Sequence, residues 1–128
     1  MNSIYEVASP DAPQAIGPYS QAVKCGNLLF VSGQLPLDPV SGAITSEDPT
    51  EQLVQCLKNI DAIARSAGAS IRRTVKTTIF LTDLSTFPLL NERYAEFFSK
   101  PFPARACVEI SALPKSAKVE IEAVIALD

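Results

Sequence analysis

Residues 118–127, KVEIEAVIAL, set the first limit on the fold. Val119, Ile121, Ala123, Ile125 and Leu127 fall on one side of a period-two repeat, and Lys118, Glu120 and Glu122 on the other. Successive side chains alternate across a strand, so the pattern describes a strand with one buried face. Such a strand needs neighbours in a sheet and a layer over its apolar side. Residues 48–68, DPTEQLVQCLKNIDAIARSAG, can supply that layer. Leu53, Leu57, Ile60, Ala64 and Ala67 recur at helical spacing. Asp48 can cap this helix, Pro49 suits its first position, Glu51 falls three residues after the cap, and Gly68 is a natural stop. Cys56, beside the apolar stripe, reads as a small buried hydrophobe.

The remaining segments extend the sheet. A short strand is expected around Ile4–Val7, followed by the irregular SPDAPQAIGPY. QAVKC and LLFVSG flank Gly26-Asn27 as a hairpin, and QLPLDPVSGAIT reads as a loop. TVKTTIFLT, 74–82, is a β-branched strand with Val75, Ile79 and Leu81 opposite Lys76, Thr78, Phe80 and Thr82. STFPLLNERYAEFFS is a second helix with Phe87, Leu90, Tyr94, Phe97 and Phe98 on one side, provided that Pro88 sits in its first turn. Two final strands, around 104–110 and 118–127, are joined by SALPKSA. The order βββ-α-β-α-ββ predicts an α+β sheet with both helices on one face, in a single domain over residues 1–128.

Composition narrows the chemistry. The net charge is −3, so no basic footprint for nucleic acid is visible. No apolar run approaches the ~20 residues of a membrane helix. The N-terminal stretch lacks the pattern of a signal peptide, and the expected location is the cytoplasm. The three cysteines, Cys25, Cys56 and Cys107, are dispersed and do not form a disulfide framework. Histidine is absent, which removes the commonest general base and the commonest metal ligand. No metal site is expected, and catalysis would rest on Glu, Asp, Arg, Tyr, Ser or Cys.

PARACVEI, 103–110, raises a specific question. Its alternation puts Arg105, Cys107 and Glu109 on one face and Ala106, Val108 and Ile110 on the other. The first set is expected on the sheet's second face with Glu120 and Glu122, where Phe80, Cys107 and Val124 are apolar members. A solvated face rarely mixes such residues with Arg and Glu, whereas a face buried against another subunit does. A guanidinium there offers a planar fork for a carboxylate. The competing reading is an ion pair of Arg105 with Glu109, Glu120 or Glu122.

With these residues in hand the chain resembles the reactive intermediate deaminase family (RidA/YjgF). AIGPYSQAV at 15–23, FVSGQLPLDPVSG at 30–42, VKTTIFLTDL at 75–84, NERYAEFF at 91–98 and PARACVEISALPKSAKVEIEAVIAL at 103–127 match its motifs in order. The resemblance implies a chorismate-mutase-like fold and a homotrimer whose sheets pack inward, with sites in the clefts between subunits. It implies hydrolysis of 2-imino acids, formed from enamines such as 2-aminoacrylate, to 2-oxoacids and ammonia, without a cofactor. The enamines would come from pyridoxal-phosphate-dependent dehydratases.

Carried over residue by residue, the resemblance makes Arg105 the carboxylate-binding group and Glu120 the residue that positions or activates water. Cys107 lines the pocket and is not expected to be a nucleophile, since no histidine activates it. Tyr19 donates from its phenol and closes the cleft. Ser32 and Gly33 bring a hydroxyl and a backbone N–H to the ligand, with glycine admitting close approach. Asn91 falls near the site. Competing functions on the same fold are a modification-activated holdase or small-molecule-binding regulator, and a ribonuclease, against which the negative charge argues.

Overall fold

The computed structural model describes residues 3–128; residues 1 and 2, part of the predicted 1–128 domain, lie outside the described residues. The strands are β1 (Ile4–Val7), β2 (Ala22–Cys25), β3 (Leu28–Gln34), β4 (Thr74–Leu81), β5 (Ala104–Glu109) and β6 (Val119–Ala126). The helices are α1 (Pro49–Ser66) and α2 (Phe87–Ala95). One sheet runs β1-β2-β3-β6-β4-β5, with β4 and β5 parallel and every other pair antiparallel. The expected α+β order is the observed one.

Local chemistry explains the elements. Asp48 accepts from the Thr50 backbone N–H at 3.0 Å and caps α1. This satisfies one of the donors that a helix leaves open at its start. Gly68, at φ +81°, takes the left-handed turn that ends the helix. Gly26 does the same in the β2–β3 hairpin at φ +61°. Pro88 sits in the first turn of α2, where its missing N–H costs nothing.

Both helices cover one face. Leu53, Leu57, Ile60 and Ile63 of α1 meet Leu29, Ile79, Leu81, Val119, Ile121 and Ile125 of the sheet in one buried cluster, which Leu90, Tyr94 and Phe98 complete from the α2 side. Cys56 is fully buried and its thiol lies 3.7 Å from the Val119 carbonyl. Burial pushes that thiol well above its usual range, with the Glu120 charge adding to the effect, so Cys56 is core.

Buried amides clamp the loops. Gln21 accepts from Ser9 N at 2.6 Å and donates to the carbonyls of Ser9, Ala12 and Pro13. Asn59 donates to the carbonyls of Leu35 and Leu37. These loop backbones would otherwise leave polar groups unmatched at the edge of the core.

Two register features correct the sequence reading. The β4–β6 pairing shifts between Thr74 and Lys76, so Val75 leaves the core face and is exposed, while Thr74 and Thr77 are buried. An extra residue in one strand turns its side chain to the wrong side. The second correction concerns β5. Thr77 pairs with Arg105, Ile79 with Cys107 and Leu81 with Glu109. Paired residues share a face, and Ile79 and Leu81 are buried beneath the helices. Arg105, Cys107 and Glu109 therefore lie on the helix face, at the sheet edge, and not with Glu120 and Glu122. Ala106 and Val108 take the open face beside Thr78 and Phe80.

Candidate functional site

Two separate half-sites emerge. The first is built on β5 and α2. The Arg105 guanidinium carbon stands 4.9 Å from the centre of the Phe87 ring and 5.1 Å from that of Tyr94. Its Nη1 donates to Asn91 Oδ1 at 2.7 Å. Phe87, Asn91 and Tyr94 are spaced i, i+4, i+7, so one stripe of α2 faces the β5 edge. Arg105, Asn91, Tyr94, Ala95, Phe102 and Pro103 line a cavity of 380 Å³.

The ion-pair reading of Arg105 does not hold within this chain. Among the described residues the ion pairs are Arg65–Asp61, Arg93–Glu96 and Lys118–Glu47. Glu109, the nearest candidate in sequence, instead accepts from the Leu84 N–H at 2.8 Å. Glu120 and Glu122 point from the other side of the sheet. Arg105 is exposed, and its Nη1 bonds to Asn91.

Cys107 is partly buried against the core next to Arg105. Burial raises its thiol above the ordinary 9.0, and the Arg105 charge offsets only part of this. The thiol therefore stays protonated at neutral pH, which suits a wall and not a nucleophile.

The second half-site lies on the open face, where Glu120 pairs with Phe80 and Glu122 with Thr78 across β6 and β4. Glu120 is half-buried. Its carboxyl is raised above the usual 4.5, first by burial and then by the like charge of Glu122. A carboxyl lifted in this way is a better proton acceptor once ionised.

Gly33 makes room for it. A Cβ at Gly33 would stand 2.9 Å from Glu120 Cδ and 3.1 Å from Oε2. The group that approaches Gly33 closely is thus the chain's own carboxylate, where the sequence pointed to a ligand. Pairing between β3 and β6 also shifts register between Val31 and Gln34, so the strand is irregular where Glu120 crosses it.

Ser32 is engaged internally: its hydroxyl donates to the Ser20 carbonyl at 2.6 Å and its N–H to the Gln21 carbonyl at 2.9 Å. It pins the segment carrying Tyr19 to β3. Tyr19 is half exposed, with its hydroxyl 3.4 Å from the Ile16 N–H. Tyr19 and Gly33 both line a cleft of 580 Å³ bounded by loops 10–16 and 34–42 and by Lys115.

The predicted residues thus divide. Arg105, Asn91 and Cys107 come together on the helix face. Glu120 meets Gly33 on the open face, Gly33 shares its cleft with Tyr19, and Ser32 is turned away to the Ser20 carbonyl. Strand β4 and the thickness of the sheet separate the two groups. Sequence reasoning missed Phe87 and Tyr94 as neighbours of Arg105 and assigned them to core packing alone. Their spacing with Asn91 was the available signal. Among the described residues, no three of His, Cys, Asp or Glu group as a metal site, and no helix is long and apolar enough to cross a membrane.

Comparison with known proteins places this arrangement. The family model described as Endoribonuclease L-PSP matches residues 9–127. The RutC family protein y4sK of Sinorhizobium fredii is 60% identical over 124 residues, covering 97% of this chain and 98% of that protein. The 2-iminobutanoate/2-iminopropanoate deaminase of Salmonella typhimurium is 46% identical over 121 residues, covering 92% and 94%. The solved structure of the Rid-family protein YyfA from Yersinia pestis superposes with a TM-score of 0.93 at 44% identity, covering 97% and 99%. Agreement of this extent in sequence, coverage and fold establishes kinship: the chain belongs to the Rid (RidA/YjgF) family.

Proposed function

We propose that this protein hydrolyses 2-imino acids such as 2-iminopropanoate and 2-iminobutanoate to 2-oxoacids and ammonia, as a homotrimer and without a cofactor. One observation carries the reading. The chain holds an arginine with no carboxylate partner among the described residues on one side of its sheet, and a glutamate with a lifted carboxyl on the other. Neither half suffices alone. A second copy, docking its β5 edge against the open face, brings Arg105 of one subunit to Glu120 of the next. The Salmonella relative named as a deaminase of these imines supports the same reading.

The chemistry follows from the groups. Arg105 holds the substrate carboxylate through two parallel N–H bonds, which fixes the imine carbon. Glu120 accepts a proton from water as the oxygen attacks C2 and the C=N π pair moves to nitrogen. The proton passes to the amine nitrogen. The C–N bond then breaks, ammonia departs with that bond's electrons, and the hydroxyl oxygen forms the C=O, its proton passing through Glu120 to the ammonia, which leaves Glu120 ionised again. Protonated imine and water thus give 2-oxoacid and ammonium. A protonated imine is a strong electrophile, so modest base assistance suffices. Substrate would reach this site from pyridoxal-phosphate-dependent dehydratases, which release the parent enamines.

The test is direct. A dehydratase generates 2-aminoacrylate or 2-iminobutyrate, and 2-oxoacid appearance is followed with and without this protein. Acceleration is expected. An unchanged rate with folded, trimeric protein removes the proposal.

A further inference from the structure

We infer that Phe87 and Tyr94 are positioning residues: their rings hold the Arg105 guanidinium by its face, so that its N–H edge is set in advance for a planar anion. The inference rests on the deaminase reading for the identity of the anion, a 2-oxo or 2-imino carboxylate.

An arginine on an exposed edge strand ordinarily samples many rotamers, and fixing it costs side-chain entropy. Here three contacts from one helix stripe define its place. Phe87 and Tyr94 present ring faces at 4.9 and 5.1 Å, within the range in which a cation is attracted to the π system. Asn91, between them on the helix, takes one Nη1 hydrogen. The ring centres flank the guanidinium carbon and Asn91 takes one corner of its edge. What remains is the rest of the fork, the part that binds a carboxylate through two parallel bonds.

The Tyr94 ring is itself fixed. Its hydroxyl makes a 2.7 Å hydrogen bond with the buried Thr77 hydroxyl. Its ring packs on Phe98 at 4.7 Å. Thr77 is the register partner of Arg105, so the strand that carries the arginine and the strand that anchors the ring are adjacent and parallel. Tyr94 therefore links β4 to Arg105 through one buried hydrogen bond and one ring contact. Preorganisation of this kind reduces the cost of binding and not the height of the chemical step.

The experiment compares ring removal with ring conservation. Phe87→Leu and Tyr94→Leu keep an apolar side chain but lose the π face; Phe87→Tyr and Tyr94→Phe keep it. Binding of 2-oxobutyrate is measured by calorimetry, and KM and kcat are measured for imine turnover. Each Leu variant is expected to bind oxobutyrate roughly tenfold more weakly and to raise KM with kcat nearly unchanged, while the aromatic variants recover most of the loss. Phe87 is only partly buried at the start of α2, so Phe87→Leu and Phe87→Tyr decide the matter if Tyr94→Leu fails to fold. If Arg105→Ala abolishes oxobutyrate binding but Phe87→Leu binds like the parent, the rings do not position the arginine and this inference falls alone. If Arg105→Ala itself binds like the parent, the deaminase reading falls first.

Discussion

The α-carbon of Gly33 lies against the carboxylate of Glu120, so close that a Cβ there would stand 2.9 Å from Glu120 Cδ. Gly33 has no positive φ, so the requirement is for space and not for backbone freedom. Gly33→Ala would push away the far end of a flexible side chain, at little cost to the fold. Thermal stability should be unchanged or slightly raised, since alanine restricts the unfolded chain. Turnover should drop at least ~10-fold, because acid–base assistance depends on placement. Calorimetric unfolding and imine turnover check both halves; a fully active Gly33→Ala would remove Glu120 from the chemistry.

Glu122 should tune the acid limb of the rate profile. Its charge raises the Glu120 carboxyl, second to burial. With Glu122→Gln that repulsion is gone and Glu120 ionises at lower pH. If ionised Glu120 is the base, the acid limb of kcat/KM moves down in pH while the rate at pH 7 changes little. Glu120→Gln should lower kcat wherever Glu120 is ionised and leave oxobutyrate binding intact. A limb that stays put in Glu122→Gln would assign it to another group.

Arg105→Ala should lose at least ~3 kcal/mol of binding to the substrate carboxylate, or two orders of magnitude in kcat/KM. Arg105→Lys should recover little, because an ammonium cannot make two parallel bonds. Turnover with the lysine variant near the parent value would show that charge alone is enough.

Cys107→Ser should retain most of its activity, since burial keeps the Cys107 thiol protonated despite the Arg105 charge. Iodoacetamide should modify Cys107 more slowly than a free thiol at pH 7.5, with the rate climbing as pH rises and levelling off only above the ordinary 9.0. Mass spectrometry after timed alkylation reads this. Fast modification at neutral pH would mark a reactive thiolate.

The open sheet face should be a subunit contact. Phe30 is 46% exposed and Val108 41% in the single chain, on the same face as half-buried Phe80 and Val124. Phe30→Asp places a charge at the register partner of Val124 and should yield monomers by light scattering, with imine turnover lost although both half-sites persist in each chain. A trimeric, active Phe30→Asp would show that another surface assembles the site.

The sequence by itself determined the element order, the α1 cap and stop, the core faces of α1 and β6, and the list of reactive residues. Each of these rests on local chemistry or on a repeat within one segment, such as Asp48 against Thr50 or the alternation from Val119 to Leu127. Tertiary structure alone decided which way two strands face. PARACVEI alternates cleanly, but alternation says only that Arg105 opposes Ala106. Which of them lies beneath the helices depends on the register that the α2 crossover gives β5 against β4. A shift of one residue would exchange the two faces. In the same way a bulge at β4 turned Val75 outward against its own pattern. Arg105 therefore came to rest between Phe87 and Tyr94, on the side of the sheet away from Glu120. Non-local pairing set that separation, and no single segment encodes it.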